Sequence, residues 1–149
     1  MANEMLGKFH RLIIAGRHYR ERQRQQHNIE LGERELMLLS LIEKHEQEGG
    51  ISVQGITKEF NQNNVPVSGA TVSTTISFLW KNDFVDKVIS RNNPRNTALR
   101  LTDKGKDLLN LDKACGEERA KLILGLIPEE DRSRLLGLVE QLTDAFNQA

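Results

Sequence analysis

Between Met5 and about Gln26 apolar residues recur at the spacing of one helix face: Met5, Phe9, Leu12, Ile13 and Tyr19, with Gly16 among them. That spacing predicts an amphipathic helix, and its second half, RHYRERQR, is strongly basic. Gly32 opens a second helix, ERELMLLSLIEKHEQE, and the pair Gly49-Gly50 closes it, because glycine enters a left-handed turn at little cost. Ser52 is placed to cap a short helix ending near Phe60 or Asn61. The polar run NQNNVPV then reads as a loop stiffened by Pro66. Ser68 caps a helix running to about Asn82. After it the period changes from helical to alternating, with Phe84, Val85, Val88 and Ile89 before the turn residues NNPRN, and Ala98, Leu99 and Leu101 after them. One antiparallel hairpin follows from that pattern. Thr102 and Asp103 start a long helix (103–126) with the apolar stripe Leu108, Leu111, Cys115, Leu122 and Leu126. Pro128 restarts the chain into a last helix (129–147), acidic in its first turn, where carboxylates suit the helix dipole, with Leu135, Leu138, Val139, Leu142 and Phe146 on one side. The outcome is a mainly α fold of about six helices with one small β-hairpin.

The helix after Pro66 is the unusual one. Set out at helical spacing, Val72, Ile76, Leu79 and Trp80 share a face that reads as core. The opposite side collects Thr71, Thr74, Thr75, Ser77, Phe78 and Lys81, and Ser68 and Ser73 add further hydroxyls. Long charged residues would solubilise an exposed helix better and have higher helix propensity. Short hydroxyls suit a surface that approaches another closely, since they bond phosphate oxygens or base edges and set a methyl against thymine.

Charge sharpens that reading. Acids and bases balance at 21 each. Yet no acid lies between Lys87 and Arg100, a stretch that also holds Arg91 and Arg95. A local positive field of this kind draws a polyanion, although a solvated hairpin would account for the charge equally well. No apolar run approaches the roughly 20 residues of a membrane span, and the amino-terminal apolar patch is too short for a secretory signal. The single cysteine, Cys115, cannot form an internal disulfide and fits a reducing compartment, so a cytoplasmic protein is expected. One cysteine also excludes a Cys-based zinc site, and the four histidines have no metal-ligand spacing. No catalytic set, glycine-rich phosphate loop or cofactor motif is present, and no enzyme activity, metal or cofactor is expected.

A short helix, a loop, a hydroxyl-rich helix and a basic hairpin follow one another in the order of a winged helix-turn-helix. In that arrangement the second helix enters the major groove, and a tip arginine on the hairpin, here Arg95, meets the negative potential of the minor groove. The stretches TVSTTISFLWKNDFV and NPRNTALRLTDKG also resemble those of the MarR-type (multiple antibiotic resistance) transcriptional regulators. The matching wing residues are Asn93, Arg95, Leu101, Thr102 and Gly105. The resemblance is specific over about residues 33–110. It implies one MarR-like domain over 1–149, with a DNA-binding lobe at 33–102 and a helical dimerisation region formed by 5–30 and 103–149.

The resemblance further implies an obligate homodimer that binds a pseudo-palindromic operator in double-stranded DNA, with helix 68–82 in the major groove and wing 85–101 at the minor groove. Such a protein is read as a repressor. The residues expected at DNA are Ser68, Thr71, Ser73, Thr74, Thr75, Ser77, Lys81, Arg91, Asn93, Arg95 and Asn96. The chain also departs from the family pattern. Thr74 stands where arginine is frequent, Ser77-Phe78 where an Asp-Arg pair is common, Asp83 where glycine ends the helix, and Asn93 in place of a wing aspartate. Shape and phosphate contacts are therefore expected to carry much of the binding.

The apolar stripes of helices 5–26, 103–126 and 129–147 need a partner surface, which independently suggests a two-fold dimer. A small-molecule effector is implied by the resemblance alone. Arg17, His18 and Tyr19 could line a crevice for it, although packing and solvation explain them as well. Cys115, on an apolar stripe with no second thiol, reads as buried and inert and not as a redox switch. A winged helix used only for protein contacts remains the alternative, to be separated from DNA binding by salt dependence.

Overall fold

The computed structural model describes residues 1–63, 65–89 and 97–149. Six helices and one two-stranded antiparallel sheet occur among them: α1 (Ala2–Gln26), α2 (Glu33–Glu46), α3 (Val53–Gln62), α4 (Gly69–Lys81), β1 (Val85–Ile89), β2 (Thr97–Leu101), α5 (Asp103–Leu126) and α6 (Glu129–Gln148). The chain divides into two compact units, Met1–Gly32 and Glu33–Ala149.

The first unit is α1 and its exit. The helix begins at Ala2, three residues before the periodicity announces it, and ends at Gln26, with His27 as its cap. There Asn28 turns left-handed at φ 53° and the Ile29 amide donates back to the Arg24 carbonyl at 2.8 Å. Asparagine tolerates that conformation because its short polar side chain compensates locally. Met5, Leu6, Leu12 and Ile13 are all more than half exposed.

In the second unit a small core is built where α2, α3, α4 and the sheet converge. Leu38, Leu39, Ile42, Ile56, Val72, Ile76, Leu79, Phe84, Val85, Leu99 and Leu109 are buried there. Each contributes roughly 1.5–3 kcal/mol relative to exposure, so this cluster supplies most of the lobe's driving force. The strands pair in the register Val85↔Leu101, Lys87↔Leu99 and Ile89↔Thr97. Ile51 adds an isolated bridge on the far side of Leu99, whose amide donates to the Ile51 carbonyl at 2.9 Å. The two expected caps form, and Thr102 caps the helix that it was expected to start. Ser52 accepts from the Gly55 amide, Ser68 from that of Thr71 and Thr102 from that of Gly105, at 3.1, 3.1 and 3.0 Å.

Two expectations of the hydrophobic pattern are corrected. Trp80 is not core: its side chain is 49% exposed, at the edge of α4 beside the hairpin. On α5 the buried positions are Gly105, Leu109 and Cys115, whereas Leu122, Ile123 and Leu126 are exposed. The stripe read from the sequence is one face that is covered as far as Cys115 and open from Leu122 onward. No residue of α6 is buried. No helix of the described residues is long and apolar enough to cross a membrane.

Candidate nucleic-acid interface

The interface candidate is α4 together with the elements that fix its two ends. Before it, the side chain of Asn61 spans the turn from α3. Its amide nitrogen donates to the Val67 carbonyl at 3.3 Å, and its carbonyl oxygen accepts from the Val67 amide at 3.2 Å. An asparagine amide mimics a peptide unit in this way, and so bridges a segment in which Pro66 offers no N–H. In the sequence Asn61 is one amide among four in the run NQNN, and nothing local distinguishes it.

After α4 the chain makes a Schellman turn, the left-handed helix stop that glycine usually provides. The Phe84 amide donates to the Leu79 carbonyl at 2.9 Å and the Asp83 amide to that of Trp80 at 3.1 Å, with Asp83 at φ 64°. Aspartate thus makes the bend where glycine is common in MarR-type sequences. Buried Phe84 and Leu79 supply the apolar contact that accompanies the motif.

The end of α4 is then tied to the start of α5. The Thr102 hydroxyl donates to the Asp83 carbonyl at 2.6 Å, the Thr102 amide to the Phe84 carbonyl at 3.1 Å, and the Lys104 ammonium to the Asn82 carbonyl at 3.0 Å. The same ammonium lies 4.3 Å from the centre of the Phe84 ring. Gly105 completes the joint, since a Cβ there would collide with the Phe84 carbonyl oxygen. The Leu-Thr-x-x-Gly run therefore has a mechanical meaning: it clamps the exit of the hydroxyl-rich helix against α5.

On α4 itself Val72, Ile76 and Leu79 face inward. Ser68, Ser73, Thr74 and Lys81 are exposed, and Thr71, Thr75 and Ser77 are half-buried, so the expected residues of this helix lie on or beside its outer side. The hydroxyls are not all outward donors. Thr74 donates to the Ala70 carbonyl and Thr75 to the Thr71 carbonyl, both at 2.9 Å, and the Ser68 and Thr71 hydroxyls bond each other at 2.9 Å. Such bonding back to the preceding turn is an ordinary alternative for threonine in a helix.

Beside α4 the hairpin presents Lys87, whose ammonium lies 4.8 Å from the centre of the Trp80 ring. Arg100 stands opposite Asp86 at 4.0 Å on exposed side chains, a pair of small energetic weight. Arg91, Asn93, Arg95 and Asn96, expected at the wing, lie outside the described residues.

Below α4, α3 is tied to α2 by an ionic cluster. Glu59 takes the Lys44 ammonium on one oxygen at 2.9 Å and His45 Nε2 on the other at 2.6 Å, while His45 Nδ1 meets Glu48 at 3.0 Å. The bond from Lys44 holds the Glu59 carboxyl below the usual carboxylate range, against a smaller opposing effect of burial. On α2 a further tie runs from Glu43 to Lys113 of α5.

No family model matches the sequence, and no curated protein matches it. Solved structures do. The chain superposes on the DNA complex of MepR from Staphylococcus aureus with a TM-score of 0.71 at 15% identity, over 93% of this chain and 96% of that one. It superposes on MepR bound to ethidium bromide with a TM-score of 0.67 at 16% identity, over 93% and 96%. MepR is described as a transcription regulator of the multidrug efflux pump MepA. On the YusO protein of Bacillus subtilis the TM-score is 0.70 at 16% identity, over 97% and 99%.

The fold is that of the MarR-type transcriptional regulators. In that fold α3 and α4 are the helix-turn-helix and β1 and β2 the wing, and Asn61 and Thr102 brace the two ends of α4. Of the first-helix residues considered for an effector crevice, Arg17 and His18 are exposed, and Tyr19 is half-buried with the Arg22 guanidinium 5.8 Å from its ring centre. Cys115 is buried, and burial pushes its thiol up from the ordinary cysteine value, with Glu118 and Asp112 adding to the effect. Among the described residues no group of three or more His, Cys, Asp or Glu side chains is gathered as for a metal ion.

Proposed function

We propose that the protein is a dimeric, sequence-specific DNA-binding transcription regulator that acts as a repressor. Two copies of α4 dock in successive major grooves of a pseudo-palindromic operator, and the two wings lie beside them. The observation that carries this reading is the outer side of α4. It is a surface of short side chains ending in Lys81, held at both ends by Asn61 and Thr102, in a fold shared with a protein crystallised on DNA. Short side chains let the helix axis come near the base edges, and Lys81, Lys87, Arg91 and Arg95 supply charge for the flanking phosphates. Occupying an operator in this way excludes other proteins from it, which is repression in its simplest form.

Pairing is supported by uncovered apolar surface. Leu6, Leu12 and Ile13 of α1, Leu126 of α5 and Leu136 and Phe146 of α6 are each more than half exposed. Patches of that extent on a small protein mark an interface. The regions 5–30 and 103–149 are accordingly assigned to dimerisation and 33–102 to DNA, with a small-molecule effector as the means of release. The protein functions without cofactor or catalysis.

The test is selection of duplexes from a randomised pool by the wild-type protein. The account expects enriched half-sites about 10 base pairs apart, centre to centre. Lys81→Ala should then bind all duplexes more weakly by a similar factor, with a shallower salt dependence, as loss of a phosphate contact requires. Recovery of no common sequence, or a Lys81→Ala protein with unchanged affinity, would contradict it.

A further inference from the structure

Direct reading of bases in the major groove uses few chemistries. Arg or Lys makes paired bonds to guanine, Asn or Gln to adenine, carboxylates accept from cytosine, and apolar groups contact the C5 methyl of thymine. From Gly69 to Trp80 the helix contains no Arg, Lys, Asn, Gln, Asp or Glu. The hydroxyl protons of Thr74 and Thr75 are directed along the helix to the carbonyls of Ala70 and Thr71.

Apart from the serine hydroxyls, such as that of exposed Ser73, what the middle of the helix offers is apolar. Ala70, Thr74 and Phe78 fall at i, i+4 and i+8, which places them along one side of the helix, and all three are exposed. Phe78 is 47% exposed, although its neighbour Leu79 is buried completely. With its hydroxyl proton turned back to Ala70, exposed Thr74 has its methyl as the group to set against a partner. An aromatic ring in water at this position contributes little to the lobe's core. It has value on a surface that becomes dry when another molecule closes on it.

We infer that Phe78, with the methyl of Thr74, reads thymine through its C5 methyl group, and so sets the preference of the protein for thymine at defined operator positions. The inference rests on the assignment of α4 to the major groove. It adds a residue outside the hydroxyl and basic set and names the base it selects. The indole of Trp80 lies away from this row, beside the hairpin with Lys87, and is not part of it.

Deoxyuridine in place of thymidine removes the C5 methyl and leaves base pairing intact. In the duplex that the wild-type protein selects, each thymine is replaced in turn and the affinity measured. At one or more thymines of each half-site the replacement should weaken wild-type binding about fourfold, the size expected for losing one buried methyl. Phe78→Ala should bind the parent duplex more weakly and lose the difference between thymine and deoxyuridine there. Thr74→Ser, which deletes only a methyl, should lose it at a neighbouring thymine. Equal wild-type affinity for all the replaced duplexes would overturn the inference, as would full discrimination by Phe78→Ala. In both cases DNA binding itself would stand, as its salt dependence would register. Failure of the wild type to bind any duplex would remove the groove assignment and the inference together. An unchanged unfolding midpoint for Phe78→Ala checks that the comparison concerns the interface.

Discussion

At the residue scale, the positions that matter most are those where one side chain serves two backbones. Thr102 caps α5 and also donates to the Asp83 carbonyl, while Gly105 lets the Phe84 carbonyl come closer than any side chain would allow. Gly105→Ala should destabilise the lobe by about 1–3 kcal/mol, because the added carbon meets backbone and not a flexible side chain. Urea unfolding measures this, and a stability equal to wild type would mean that the clamp is looser than described. Such roles are partly legible in a sequence. Ser52 and Ser68 could be read as caps, and Thr102 as a helix start, because capping is a local matter of a hydroxyl before a helical run. Asp83 could be read as a left-handed stop for the same reason. Asn61 could not, since its bonds to Val67 depend on the path of the turn between them.

At the scale of elements, Trp80 and α5 show where periodicity reaches its limit. Trp80 lies at the border of the inward face of α4, and the side on which a border residue falls is decided by its neighbour in space. The hairpin occupies that side, so the indole stays at the edge beside Lys87. On α5 the first turns answer to the winged lobe through Leu109, while Leu122 to Leu126 remain uncovered. A stripe drawn along the whole helix averages two burial demands.

The packing of α3 on α2 involves a further local element, the cluster around Glu59. Because its carboxyl is held below the ordinary value of 4.5, its bonds stabilise the fold above that pH, and the contribution is lost as pH falls through the lower folded value. Glu59→Gln should therefore be less stable than wild type at neutral pH, with the gap narrowing below about pH 4.5. A gap in urea midpoint that stays constant from neutral to acid pH would remove Glu59 as the cause.

For the whole molecule, the exposed apolar residues of α1, α5 and α6 have no role in a monomer and become interface in a dimer. Sedimentation at micromolar concentration should return twice the chain mass of 17.0 kDa. Leu142→Glu or Phe146→Asp, placed on the uncovered side of α6, should shift it toward one chain with the winged lobe still folded. A single-chain mass for the wild type would contradict the paired arrangement.

The central claim is that the outer side of α4 and the basic wing meet the phosphates and grooves of DNA. Its most direct test is the affinity of the wild-type protein for its selected duplex as salt is raised. With Lys81, Lys87, Arg91 and Arg95 contributing from each of two lobes, binding should weaken about a thousandfold or more between about 50 and 200 mM salt, as counterion release requires. An affinity that changes by less than about threefold over that range would contradict the account and point to a winged helix that binds protein instead.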